Sequence, residues 1–257
     1  MIRKTGLALT VALMGATAAI AVDHHGEKED GNSAIAHALA SEKRQDSDRA
    51  SDAARKPQKM LKFTGIGAGM TVLDINSSSG YYAELFSSLV GAKGKVIAHN
   101  GPAYWAFMKE TLSPRYNGDH LGNVVQIHDG NEAIDLPEGS VDVAFSGLAY
   151  HDYFMNAEAV SDPTVMTAVN TSIYRALKPG GVYVLVDHHA PAGSGAAAGG
   201  TLHRIDPAIV REQLEAVGFS LIEEADFLVN PDDPMTTGPF DPAIRGKTSR
   251  FIYKFQK

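Results

Sequence analysis

Three short clusters carry most of the side chains able to move a proton or hold a ligand: Tyr150, His151 and Asp152; Asp187, His188 and His189; and His203, Arg204 and Asp206. The first two follow directly on apolar, β-branched runs that read as strands. That places them at strand carboxyl ends, where open α/β sheets hold their ligands. A histidine there takes or gives a proton near neutral pH with little tuning, so His151, Asp152 and His188 are the expected catalytic groups. The plainer alternative makes Asp187 a turn cap and Arg204 with Asp206 a local structural pair. Imidazole and carboxylate also suit a divalent cation, but their spacing singles out no ligand set and no metal is assigned. The chain has no cysteine, which excludes thiolate ligands, disulfides and a Cys nucleophile.

A second candidate lies in Thr71–Tyr82, TVLDINSSSGYY. Thr71, Val72, Leu73 and Ile75 favour a buried strand, Asn76–Gly80 a turn, and Tyr81–Val90 has apolar residues at helical spacing. The first N–H groups of such a helix face the crevice beyond the strand and suit a nucleotide or an amino-acid carboxylate.

The elements that must position these groups alternate along the chain. Strands are predicted at Lys95–His99, Val124–His128, Val141–Phe145, Val182–Asp187, Phe219–Val229 and Ser249–Phe255. Helices are predicted at Ala103–Leu112, with Trp105 and Phe107 in the core, at Thr164–Leu177 and at Pro207–Val217. Lys178–Gly181 reads as a turn, His188–Gly200 as a mobile Gly/Ala-rich stretch, and Arg245, Lys247 and Arg250 either as contacts for an anionic substrate group or as surface charge before an edge strand. Ending in two strands with no intervening helix, the order predicts a doubly wound, largely parallel sheet with one antiparallel strand.

The acidic residue and turn at Asp74–Gly80, the Leu-Pro-x-Gly-Ser-x-Asp-Val order at Leu136–Val143 and the segment ALKPGGVYVLVD at Ala176–Asp187 together resemble class I S-adenosylmethionine-dependent methyltransferases. More narrowly, YHD near 150 and the PDDP…SRF tail resemble a group of exported bacterial methyltransferases. The resemblance implies a Rossmann-like, mostly parallel seven-stranded sheet with helices on both faces, and S-adenosylmethionine as cofactor. It also implies cofactor contacts at Asp74, Asn76, Ser78 and Gly80, at Asn100 where the family has an acid on the ribose, and at Asp129 near the adenine. Only Gly80 matches the family's alternating glycines, so a repurposed Rossmann-like ligand-binding protein without turnover is the alternative. The G-x-G-x-x-G fingerprint of nicotinamide enzymes is absent.

The chain opens with Arg3 and Lys4, an apolar run and the small-x-small site Ala19-Ile20-Ala21, the order of a cleavable export signal. Residues 1–21 are therefore expected to be a signal peptide, 22–32 a disordered mature N-terminus containing His24 and His25, and 33–257 a single domain with N-terminal capping helices. The apolar run falls short of the ~20 residues that comfortably span a bilayer, so no stable membrane insertion is expected after cleavage. A formal net charge of −7, more negative without Arg3 and Lys4, argues against a nucleic-acid partner. The expected setting is the periplasm and the expected partner a small-molecule or envelope-component substrate; oligomeric state is not legible. Mass spectrometry of protein recovered from the envelope fraction should show a terminus near Val22, and an intact Met1 there would contradict export with cleavage.

Overall fold

The computed structural model describes Met1 and residues 31–116 and 121–257; the expected signal at 1–21 and the segment through residue 30 lie outside the described residues. Among the described residues, three helices, α1 (Gly31–Ala40), α2 (Asp46–Arg55) and α3 (Pro57–Thr64), precede the sheet. Then follow β1 (Thr71–Ile75), α4 (Tyr81–Val90), β2 (Lys95–His99), α5 (Pro102–Tyr116), β3 (Val124–Ile127) and β4 (Val141–Gly147). The second half runs α6 (Ala157–Ser161), α7 (Pro163–Ala176), β5 (Leu177–His188), α8 (Ala198–Leu202), α9 (Pro207–Ala216), β6 (Ser220–Ala225) and β7 (Arg250–Gln256).

The seven strands lie in the order β3-β2-β1-β4-β5-β7-β6, with β7 antiparallel to both neighbours and the other pairs parallel. Successive residues of the central strands face opposite sides, and both sides are covered. Val72, Val96 and Val143 pack with α1, α3 and α4, whereas Leu73, Ile75 and Ala144 pack with α7 and α9. Two-sided burial explains why these strands read as apolar runs rather than alternations. At their amino ends, Asp142 ties three strands together by accepting from Thr71 N at 2.8 Å and Lys178 Nζ at 2.6 Å.

Four expectations change. Lys178–Gly181 does not separate α7 from β5 but bulges within it: Val141 pairs with Leu177 and Val143 with Val182, so the intervening residues loop out of the ladder. The strand β7 lies inside the sheet, and Arg250 at its start is 5% exposed, not a surface charge before an edge. Phe107 is 84% exposed and Trp105 stacks on His128 with ring centroids 3.9 Å apart, because the apolar residues of α5 are scattered round the helix. Finally, the stretch read as mobile contains α8, which lies on the 3-10 turn His151–Met155. Its small residues permit that approach: a Cβ on Gly199 would sit 2.5 Å from the His151 carbonyl oxygen and 2.6 Å from Phe154 Cβ.

Arg204 does not pair with Asp206, which instead caps α9 by accepting from Ala208 N at 3.0 Å. The Arg204 guanidinium is fully buried and meets Asp233 in two bonds of 2.9 and 3.0 Å, with further bonds to the His189 and Thr237 carbonyls. Asp233 also accepts from Ser249 N at 2.6 Å, so one ion pair clamps the long segment before β7 to the end of β5. Removing one partner of such a pair strands a buried charge. Asp233→Ala is therefore expected to lower the unfolding free energy in urea by ~3–5 kcal/mol; a loss below ~1 kcal/mol would show that the clamp is dispensable.

Candidate functional site

Asp74, the penultimate residue of β1, is 2% exposed and leaves Oδ2 buried without a hydrogen-bond partner among the described residues. Burial pushes its pKa up to about 8, against the opposing field of Arg55 and a bond from the Ala83 backbone. The carboxyl is thus mostly neutral at pH 7 in the free protein. Beyond it the chain reverses into α4 through three left-handed residues at alternate positions, Asn76 (φ 48°), Ser78 (φ 53°) and Gly80 (φ 80°). Left-handed backbone is what glycine provides without cost, and here an asparagine and a serine adopt it in the two positions lacking glycine.

The turn is stitched to the end of β2. Ser77 N donates to the His99 carbonyl at 2.9 Å, Ser78 N to Asn100 Oδ1 at 2.9 Å, and Asn100 Nδ2 to Ser77 Oγ at 3.0 Å. Asn76 Oδ1 accepts from Gly101 N at 3.3 Å, while Asn76 Nδ2 is buried with no partner. His99 donates from Nε2 to the Asp129 carbonyl at 3.0 Å, holding the end of β3 beside the turn. Asp129 itself accepts from Asp135 N at 3.1 Å. Of the expected cofactor residues, then, Asp74, Asn76, Ser78, Gly80 and Asn100 come together directly, and Asp129 joins them through His99. Asn100 is fully buried and its amide braces the turn.

Helices from outside the sheet close over this turn. A Cβ on Gly80 would lie 2.5 Å from Tyr116 Oη and 2.7 Å from Arg115 Cδ, so only glycine fits beneath the end of α5. Arg115 in turn pairs with Asp48 of α2 at 2.8 and 3.0 Å and with Glu84 of α4. Tyr81 Oη donates to Asp52 at 2.7 Å, and the Arg55 guanidinium stands 4.5 Å from the Tyr81 ring centre. The sequence reading, which expects N-terminal capping helices, names none of these partners; no local pattern links Asp48 to Arg115.

Past β4 and β5 lies the second half of the crevice. Asp187, wholly buried, accepts from His151 Nδ1 at 2.7 Å, from His151 N at 2.9 Å and from His188 N at 2.7 Å. His151 Nε2 meets Asp152 Oδ1 at 3.0 Å, and Tyr104 of α5 donates its hydroxyl to Asp152 Oδ2. Although burial opposes its charge, the two carboxylates raise the His151 pKa to about 10. Burial likewise works against Asp152, but His151 and Tyr104 hold it below the usual carboxylate range. His188 goes the other way: burial, then the Arg250 charge, drive its pKa well below 6.5, and its Nδ1 bonds Thr248 Oγ1 at 2.8 Å. His151 consequently favours the imidazolium and His188 the neutral imidazole, so neither titrates near neutral pH as their residue type alone implies. His189 lies aside, bonding Ser249 Oγ at 3.1 Å. His203, brought in by α8, places Nδ1 3.5 Å from Asp152 Oδ1.

The protein-L-isoaspartate(D-aspartate) O-methyltransferase family model matches residues 41–113, a span covering β1, the turn and β2. The ubiquinone/menaquinone biosynthesis C-methyltransferase UbiE of Marinomonas sp. is 27% identical over 131 residues, 51% of this chain and 47% of that protein. Its Escherichia coli K12 counterpart is 27% identical over 132 residues, again 51% of this chain and 47% of the relative. The chain thus spans about half the length of the curated relatives it matches. Among solved structures, an S-adenosylmethionine-dependent methyltransferase from Aquifex aeolicus superposes with a TM-score of 0.56 at 22% identity, covering 80% of this chain and 97% of that one. Another from Mesorhizobium loti gives 0.56 at 16% identity, covering 80% and 100%. The arsenic(III) methyltransferase of Chlamydomonas reinhardtii gives 0.51 at 20% identity, covering 87% and 72%. With the sheet order, the single antiparallel strand and the turn after β1, these likenesses show that the chain has the Rossmann-like fold of class I S-adenosylmethionine-dependent methyltransferases.

Proposed function

We propose that the turn after β1 binds S-adenosylmethionine and that the crevice beyond β4 and β5 holds the methyl acceptor, a small molecule or an envelope component. The observation that carries this reading is the pair of unsatisfied groups beside the left-handed turn. Among the described residues, Asp74 Oδ2 lacks a donor and Asn76 Nδ2 lacks an acceptor, two residues apart and both buried. Buried polar groups without partners are rare and each calls for one. An amino-acid terminus supplies both, an ammonium for Asp74 and a carboxylate for Asn76. The residues present therefore fit the methionine end of the cofactor. The left-handed backbone kept at 76, 78 and 80 favours this over a repurposed site that has lost its cradle.

When bound, the cofactor supplies a methyl group activated on a sulfonium. The chain's own residues position and exclude. Asp74 and Asn76 orient the amino-acid end, Asn100 and His99 keep the turn closed, and α2 and α5 cover it. In the acceptor half, His151, Asp152 and His188 are assigned to the face of the transferred methyl. His151 offers positive charge and His188 an uncharged ring beside it, 5.7 Å away between centroids. Holding the acceptor in line, away from water, is the contribution this reaction most needs from a protein.

The protonation of Asp74 fixes the sign of the pH dependence. An ammonium favours the ionised carboxyl, whose pKa in the free protein is raised to about 8. Affinity for S-adenosylmethionine or S-adenosylhomocysteine should therefore climb from pH 6 toward 8, by at most ~10-fold per pH unit, and fall again once the ligand's own ammonium loses its proton. Calorimetric titration of Asp74→Asn should show weaker binding with that rise removed. Affinity independent of pH in the unmutated protein would contradict the assignment. His188→Ala, by contrast, should leave S-adenosylhomocysteine affinity within about threefold while depressing turnover on an identified acceptor by ~10²-fold; loss of cofactor affinity instead would overturn the division of the crevice.

A further inference from the structure

We propose that His151 Nε2, Asp152 Oδ1 and His203 Nδ1 form a binding site for one divalent transition-metal ion, zinc or a chemically similar cation. One ligand atom from each of these residues lies within 4.8 Å of the others. Two of the three separations, 3.0 Å from Asp152 Oδ1 to His151 Nε2 and 3.5 Å to His203 Nδ1, bracket the edge of ~3.3 Å that four ligands at ~2.0–2.1 Å make around tetrahedral zinc. Two imidazoles and a carboxylate are a donor set suited to such an ion, which takes the place of the proton on His151 Nε2 as it binds.

The groups behind the ligands are arranged as a metal site requires. His151 engages Asp187 through Nδ1 at 2.7 Å, which turns Nε2 toward the proposed ion. Asp187 is itself held by the backbone N–H groups of His151 and His188. A carboxylate behind a histidine ligand is the usual means of fixing ring orientation. On the other carboxylate, the Tyr104 hydroxyl takes Asp152 Oδ2 and leaves Oδ1 directed at the two rings.

His203 supplies the independent observation. Its Nδ1 is buried and has no hydrogen-bond partner among the described residues; the 3.5 Å approach to Asp152 lacks hydrogen-bond geometry. A histidine serving only to brace Asp152 would bond it. Moreover, the fold reaches this arrangement at some expense: His203 sits in left-handed backbone at φ 51°, and α8 lies so close to the 151–155 turn that position 199 has no room for a Cβ. Strain of this kind persists where the surroundings hold it in place, and it concentrates at ligand sites. Three protein ligands leave at least one coordination position for an oxygen of water or of the acceptor.

The test uses the full chain carrying His24→Ala and His25→Ala, so that the N-terminal histidine pair contributes nothing. After removal of metal with a chelator, the protein is titrated with Co²⁺, followed by its visible absorption, and then with Zn²⁺ in competition. One ion per chain is expected, with the intense cobalt spectrum of low coordination number. His203→Asn, which tolerates left-handed backbone, should weaken binding by 100-fold or more. Asp187→Asn, which touches no ion directly, should weaken it by ~10–100-fold. Absence of stoichiometric binding, or His203→Asn binding as tightly as the parent with native circular dichroism, would overturn the proposal. Should His203→Asn fail to fold, the Asp187→Asn affinity decides alone: equality with the parent would also overturn it. No cofactor enters these titrations, so their failure is distinct from failure of S-adenosylmethionine binding.

Discussion

The crevice depends on a carboxyl group placed where water cannot reach it. Asp74 lies at the carboxyl end of the inner strand β1, flanked by β2 and β4, under α4 and the N-terminal helices. Burial there disfavours its charge, so in the free protein the group waits in its neutral form. To leave that carboxyl facing the crevice, the backbone must reverse at once into α4, and three left-handed residues accomplish the reversal. Asn76 and Ser78 take a conformation that non-glycine residues reach at some cost. The compensation is visible in the bonds to Gly101 and Asn100, which connect each strained residue to the end of β2.

The same economy of buried charge governs the other half of the site. Asp187 has no exposure, yet three donors surround it, and His151 is charged because two carboxylates grip it. His188 sits a few ångströms away with the guanidinium of Arg250 as neighbour, and there the proton is unwelcome. Two histidines of one crevice are thereby driven in opposite directions by their surroundings. Arg55 joins the halves: its field opposes the rise of the Asp74 pKa and contributes to the fall of the His188 pKa. Packing α2 over the turn thus affects both ends of the crevice.

Much of the architecture was legible because strand-helix alternation leaves a strong periodic signal. Every strand was located, and β1, α4 and β2 fall on the expected residues. Their placement was legible too, since Asp74, His151 and His188 all lie at or just beyond the carboxyl ends of strands. Illegible were the consequences of contacts distant in sequence. Nothing local to Arg250 says that β7 inserts between β5 and β6 and buries it, and nothing in His188–Gly200 says that its small residues allow close packing rather than motion. Charge states were the least legible part: that a histidine is nearly as good a base as its neighbour follows from residue type, whereas the structure separates His151 from His188 by which carboxylates and cations lie within reach. Asn76 and Ser78 sit between these cases, since their tolerance of left-handed backbone was foreseeable but the bonds that hold it were not.

The central claim is that a neutral, buried Asp74 gives up its proton when the ammonium of the cofactor arrives. Calorimetric titration of the protein with S-adenosylhomocysteine at pH 7, repeated in buffers of different ionisation enthalpy, measures that proton directly. With the Asp74 pKa raised to about 8, binding should release close to one proton per chain. Binding with no proton exchanged, or no binding at all, would contradict the account.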